Sequence, residues 1–158
     1  MSRIPLTIRG AEKVREEIRT LKTEARPRVT QAIAVARGHG DLKENAEYHA
    51  AKDEQGFIEA RIRDLESLIA NAEVIDVTRL IGNTKVLFGA TVSLVDEADG
   101  KASRYQIVGE YEADMKLGMI SISSPLARAL IGKVEGDVAS FTVPAGEKNL
   151  EIVRVEYF

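Results

Sequence analysis

Two apolar stripes of helical period, parted by a pair of glycines, dominate the N-terminal half of the sequence. From about residue 12 to residue 36 the pattern is helical, with Ala11, Val14, Ile18, Leu21 and Ala25 recurring at intervals of three or four. Pro27 interrupts this stripe. Proline lacks a backbone donor and its ring crowds the preceding turn, so a kink is expected there. Beyond it the stripe resumes at Val29, Ala32 or Ile33, and Ala36, and the step from 25 to 29 shifts the seam. The second stripe runs through Tyr48, Ala51, Ile58, Ile62, Leu65, Ile69 and Ala72, broken only at Gln55, with Phe57 and Leu68 widening its apolar face. Arg61, Arg63, Asp64 and Glu66 fall outside it, on faces expected to be solvated. The connection Arg37-Gly38-His39-Gly40-Asp41-Leu42-Lys43 holds two glycines, which stop the first helix and permit a tight reversal. A link this short makes the helices antiparallel neighbours. At 1.5 Å per residue, about 25 residues give an arm of roughly 35–40 Å. The middle of such an arm is supported only by its partner helix.

The charge distribution suits that pairing. Residues 1–37 carry nine Lys/Arg and four Asp/Glu, residues 38–78 four and ten, and residues 79–158 nine and eleven; the balances are +5, −6 and −2, for a net −3. A basic segment followed by an acidic one matches two helices that face each other. The net negative charge argues against a broad basic surface for naked nucleic acid. Hydrophobic residues at 44% and charged residues at 30% are the proportions of a globular protein. Cysteine is absent, which removes disulfides and thiolate metal sites and fits a reducing, cytoplasmic location. The opening MSRIPLTIRG has no apolar core of a signal peptide, and no run of about 18 apolar residues predicts a membrane span.

After about residue 78 the period changes. Val86 to Val95 reads as a strand, with Gly89 suggesting a bend or bulge. Asp96 to Lys101 is a turn, Arg104 to Val108 a second strand and Met119 to Ser123 a third. Ser124-Pro125 offers an N-cap followed by proline at the first helical position, and Leu126 to Ile131 a short helix ended by Gly132. Two more strands are predicted near 138–143 and 150–157. The fold class is therefore α+β: residues 1–78 form an antiparallel coiled-coil arm with an acidic tip, and residues 79–158 a β-rich domain with one short helix.

The C-terminal half offers no catalytic constellation: it has no histidine and no glycine-rich phosphate loop. His39 and His49 both lie near the hairpin tip and read as solvated surface residues. The informative cluster is Asp41, Glu44 and Glu47, spaced by three. With the second helix beginning near residue 42, these carboxylates share one face at the tip. Carboxylate oxygens are hard ligands suited to Mg²⁺, but two or three leave an octahedral shell incomplete, so the tip alone would bind the ion weakly and could complete a half-made site elsewhere. The same Asp-x-x-Glu spacing also fits a capping box, in which Asp41 caps the helix and Glu44 reaches back.

The string Gly40-Asp41-Leu42-Lys43-Glu44-Asn45-Ala46-Glu47-Tyr48 resembles the signature of the bacterial Gre family of transcript-cleavage factors. Thr7-Ile8-Arg9-Gly10 before it, and Phe88-Gly89-Ala90-Thr91-Val92 and Ser124 to Gly132 after it, are similar to the family's remaining segments. The resemblance implies an N-terminal coiled coil and a C-terminal domain like the FK506-binding-protein fold. It implies a factor, not itself an enzyme, that enters the secondary channel of RNA polymerase and stimulates the polymerase to cleave backtracked RNA. Asp41 and Glu44 are then the catalytic pair, holding a second Mg²⁺ shared with the polymerase. Arg37 and Lys52 would meet the extruded RNA 3′ end, and Ser123, Ser124 and Pro125 the channel rim, with Ser124 also capping its helix. The modest basic content favours the less basic branch of the family, acting as a monomer. Rival expectations are an inhibitory channel-binding homologue, whose tip acids are altered, and a prolyl isomerase or chaperone, which needs an aromatic-lined pocket. A second kind of coiled-coil channel regulator depends on a cysteine zinc site that this chain lacks.

Overall fold

The computed structural model describes residues 3–41 and 44–158. Residues 42 and 43 of the tip string, and the first two of the chain, lie outside the described residues. The chain divides into two compact units: Ala11–Ala72, and a second that joins the N-terminal segment through Gly10 to Glu73–Phe158.

The first unit is the expected helical hairpin. Helix α1 covers Ile8–Thr20, a π-helical turn follows at Leu21–Ala25, and α2 covers Arg26–Arg37. After the tip, α3 runs over Ala46–Ala70, 25 residues or about 37 Å at 1.5 Å per residue. The seam shift expected at Pro27 is made one turn earlier. Pro27 sits in the first turn of α2, and the Arg26 N–H reaches back five residues to the Leu21 carbonyl. Widening that turn relieves the clash between the proline ring and the preceding carbonyls. Val29, Ile58 and Ile62 form the buried seam, with Leu21, Ala25 and Ile33 packed against it.

Among the described residues, four ion pairs cross between the helices: Lys22–Glu66 at 3.3 Å, Arg61–Glu17 at 2.6 Å, Arg26–Glu59 at 2.8 Å, and Arg28–Glu54. Three run from a base before the tip to an acid after it, the direction that the +5 and −6 balances favour. Arg61 and Glu66, assigned from the sequence to solvated faces, take part in these bridges. Solvent screens exposed pairs of this kind, so they fix which faces meet more than they hold the helices together. Phe57 departs from the sequence reading. It is 76% exposed, because it lies beside the buried Ile58 and about 100° around the helix from it.

In the second unit, β1 (Ile4–Thr7) pairs with β2 (Ala72–Ile75). Residues 3–10 and 73–78, grouped with the arm from the sequence, therefore fall in this unit. Five further strands, β3 (Thr91–Asp96), β4 (Ala102–Val108), β5 (Met119–Ser121), β6 (Val138–Val143) and β7 (Gly146–Glu156), form a sheet in the order β5-β4-β3-β7-β6. All neighbours are antiparallel except β4 and β5. Helix α4 (Pro125–Leu130) contributes Ala127 and Leu130 to a core with Val92, Leu94, Ile107, Ile120, Ile152 and Val155.

The strand expected from Val86 begins only at Thr91. Gly89 makes a turn with φ +88° and not a bulge, and a Cβ there would stand 2.1 Å from the Val77 Cγ1. The sheet's bulge lies in β7. Ser93 faces Arg154 and Leu94 faces Ile152, leaving Val153 as the extra residue, so that Ile152 and Val155 both point inward.

A buried carboxylate fastens the N-terminal strand. Glu112, 8% exposed, accepts from the Thr7 N–H at 3.1 Å, the Gly109 N–H at 3.2 Å and the Thr7 hydroxyl. Thr7 Oγ1 in turn accepts from the Gly10 N–H at 3.0 Å.

Candidate functional site at the hairpin tip

The tip is built from the two helix ends. At the close of α2 the Gly38 N–H donates to the carbonyls of Ala34 and Val35, His39 N–H to Ala36 at 3.1 Å, and Gly40 N–H to Arg37 at 3.4 Å. Gly40 then takes φ +105°, a conformation glycine adopts without strain, and the chain turns back. Helix α3 is capped by Asn45, whose Oδ1 accepts from the Tyr48 N–H at 3.0 Å. Its Nδ2 donates to the Ala36 carbonyl at 2.6 Å, tying the start of α3 to the end of α2.

This overturns the expected helix start near residue 42 and the capping box with it. Asp41 and Glu44 are exposed and precede the helix, so the three acids do not share a helical face. Only Glu47 stands in the first turn of α3, and its Oε2 lies 3.5 Å from His39 Nδ1. His39 thus faces Glu47 across the turn, and the His49 ring meets that of Tyr48 edge-on at 5.6 Å. Asn45 was legible in principle: an N-capping residue three positions before Tyr48, where the apolar stripe begins, is a helix-start signal.

The tip offers Asp41 and Glu44 as accessible hard oxygen donors, which suits Mg²⁺ chemically. Among the described residues no group of three or more His, Cys, Asp or Glu is arranged to hold a metal ion. Two carboxylates fill only part of an octahedral shell, so the donor set fits a shared site and not a self-sufficient one. Arg37 ends α2 and is exposed, while Lys52 lies on α3 with Nζ donating to Gln55 Oε1 at 3.1 Å.

In the second unit Ser124 caps α4, its Oγ accepting from the Ala127 N–H at 3.2 Å, and Pro125 opens the helix. Ser123 Oγ donates to Glu110 Oε1 at 2.7 Å and lies 2.8 Å from Ser121 Oγ. Four of the aromatic residues here serve packing, while Phe158 is exposed with the Arg104 guanidinium 5.3 Å over its ring. Phe88 and Tyr157 are buried, Tyr105 and Phe141 lean on the same core, and the Tyr157 hydroxyl accepts from the Leu87 N–H and donates to the Lys85 carbonyl. Burial pushes the Tyr157 pKa up. Among the described residues no helix is long and apolar enough to cross a membrane.

Comparison with known proteins covers both halves of the chain. The family model described as "Transcription elongation factor, N-terminal" matches residues 4–74, and that described as "Transcription elongation factor, GreA/GreB, C-term" matches residues 81–157. Proteins named transcription elongation factor GreA from Alkalilimnicola ehrlichii and from Thioalkalivibrio sulfidiphilus are each 60% identical over 157 residues, 99% of either chain. Among solved structures, GreA factor homolog 1 (Gfh1) of Thermus thermophilus is 28% identical, with 98% of this chain and 99% of that one covered and a TM-score of 0.44.

Proposed function

The chain belongs to the GreA/GreB family of transcription elongation factors, and on that premise we propose that it rescues backtracked RNA polymerase by stimulating the polymerase's own cleavage of the extruded transcript. The observation that carries this reading is the position of Asp41 and Glu44. Both are exposed at the turn of a two-helix hairpin, and neither is the residue that caps α3. In this reading the hairpin enters the polymerase secondary channel and brings the two carboxylates to the catalytic centre, in the compartment where the polymerase works, the cytoplasm.

Asp41 and Glu44 would hold a Mg²⁺ ion jointly with the polymerase, and such an ion, when bound, stabilises the attacking and leaving oxygens of phosphodiester hydrolysis. The chain's own contribution is to present two carboxylate donors at fixed positions and to accept hydrogen bonds from a water held between them and the RNA. Arg37 and Lys52, on the two helices beside the turn, offer cationic groups to the phosphates of the RNA 3′ end. Ser123, Ser124 and Pro125 form the proposed contact with the channel rim. The protein acts as a monomer and is not itself a hydrolase.

The test is a backtracked elongation complex carrying end-labelled RNA and Mg²⁺, treated with wild-type protein or with Asp41→Ala/Glu44→Ala. Wild type shortens the RNA, and the double variant binds polymerase without stimulating cleavage. Asn45 caps α3 in the variant as in wild type, and circular dichroism checks that the two are equally folded. A wild-type chain that binds polymerase and leaves cleavage at the factor-free rate would refute the reading in favour of an inhibitory homologue.

A further inference from the structure

Asn45 makes two bonds where a helix cap needs one. An N-cap requires an acceptor for a first-turn N–H, and Ser, Thr or Asp would serve as well as Asn. The Oδ1 of Asn45 fills that role toward Tyr48, but its Nδ2 also donates across the turn to the Ala36 carbonyl. Ala36 is 2% exposed, and the same carbonyl accepts the His39 N–H at 3.1 Å. One buried oxygen therefore gathers the chain as it leaves α2 and as it re-enters α3. Glu44 is bonded directly to Asn45, and Asp41 directly to Gly40, whose N–H is held by Arg37. Each acid thus hangs one peptide from an anchored residue.

We infer that Asn45 is a positioning residue whose cross-turn bond sets the placement of Asp41 and Glu44, separately from its role as a helix cap. The inference rests on the proposed role of those acids. Groups that assist chemistry must be held to within about 0.5 Å, and a 1 Å misplacement can cost about a hundredfold in rate. The hairpin itself does not depend on this bond. The seam of Val29, Ile58 and Ile62 and the four cross-helix ion pairs remain when it is removed.

Asn45→Ser keeps an N-cap hydroxyl and loses the donor that reaches Ala36. With backtracked complexes and Mg²⁺, the cleavage rate at saturating Asn45→Ser falls about ten- to hundredfold, the range set by sub-ångström to 1 Å displacement. The factor concentration for half-maximal effect stays at the wild-type value. Amide exchange supplies a readout independent of cleavage: the His39 N–H exchanges several-fold faster in the variant, while the Ile58 and Ile62 amides are unchanged. Asn45→Asp, which keeps the cap acceptor and also lacks the donor, repeats both measurements if the serine variant proves unstable. A variant with the wild-type saturated rate overturns the inference while leaving the role of Asp41 and Glu44 intact. A loss that comes as a raised half-maximal concentration with faster exchange throughout α3 also overturns it, since Asn45 would then only support the helix. If wild type fails to stimulate cleavage, the functional reading falls and this inference with it.

Discussion

Glu112 gives the sharpest test of how the N-terminal strand is fastened. Replacing it with alanine removes the acceptor from two buried backbone donors, Thr7 N–H and Gly109 N–H, and from the Thr7 hydroxyl. Each orphaned buried donor costs about 1–3 kcal/mol, so the two backbone donors alone should destabilise the β-rich unit by about 2–6 kcal/mol in Glu112→Ala. Gly10→Ala attacks the same network from the other side. A Cβ on Gly10 would stand 2.3 Å from Glu112 Cδ and 2.4 Å from Oε1, so the carboxylate must leave its place. Alanine's better helix propensity returns at most about 1 kcal/mol, and the steric loss outweighs it. The two substitutions should therefore be strongly non-additive. Once the Glu112 side chain is gone the new methyl has room, and the double variant should be no less stable than Glu112→Ala, a coupling of about 2 kcal/mol or more. Urea unfolding followed by tyrosine fluorescence suits the measurement. The chain has no tryptophan, and three of its four tyrosines (Tyr105, Tyr111 and Tyr157) lie in this unit. Additive losses, or a cost for Glu112→Ala below about 1 kcal/mol, would show that these buried donors do not depend on the carboxylate.

The hairpin has its own two tests. Arg26 makes paired hydrogen bonds of 2.8 and 2.9 Å to Glu59 and holds that carboxyl below its ordinary pKa. A depressed carboxylate stabilises fully above its unfolded value, about 4.3, and the contribution is lost as pH falls through the lower folded value. Helix content under mild denaturant should therefore drop as the pH is taken from about 5 to below 4, and the drop should be shallower in Glu59→Gln; equal slopes would mean that the pair contributes nothing. Ile62, 3% exposed in the seam with Val29 and Ile58, should cost about 2–4 kcal/mol when cut to alanine. That loss should appear as melting of the helical circular dichroism at lower temperature, and a loss under about 1 kcal/mol would mean that the seam is not the main support of the arm.

The sequence made the hairpin and the β-rich unit readable where a period persists. Ala51, Ile58, Ile62 and Leu65 repeat for long enough to define a face, and all four are buried. Phe57 was misplaced because its hydrophobicity was counted without its angle around the helix. Strands β1 and β2 were missed for a different reason: four residues are too few to show a period, and their pairing joins segments more than sixty residues apart. Pro27 announced a break, but its resolution as a π turn at Leu21–Ala25 depends on which carbonyls must be cleared, and that is a property of the folded helix. The tip shows the limit most clearly. Asp41 and Glu44 have the spacing of a capping box, and spacing alone made a structural and a functional role compete for the same side chains. Asn45 dissolves that competition: by capping α3 and binding the Ala36 carbonyl it meets the needs of the turn with one amide. Neither carboxylate then caps α3, and the helix start no longer competes with the role proposed for both.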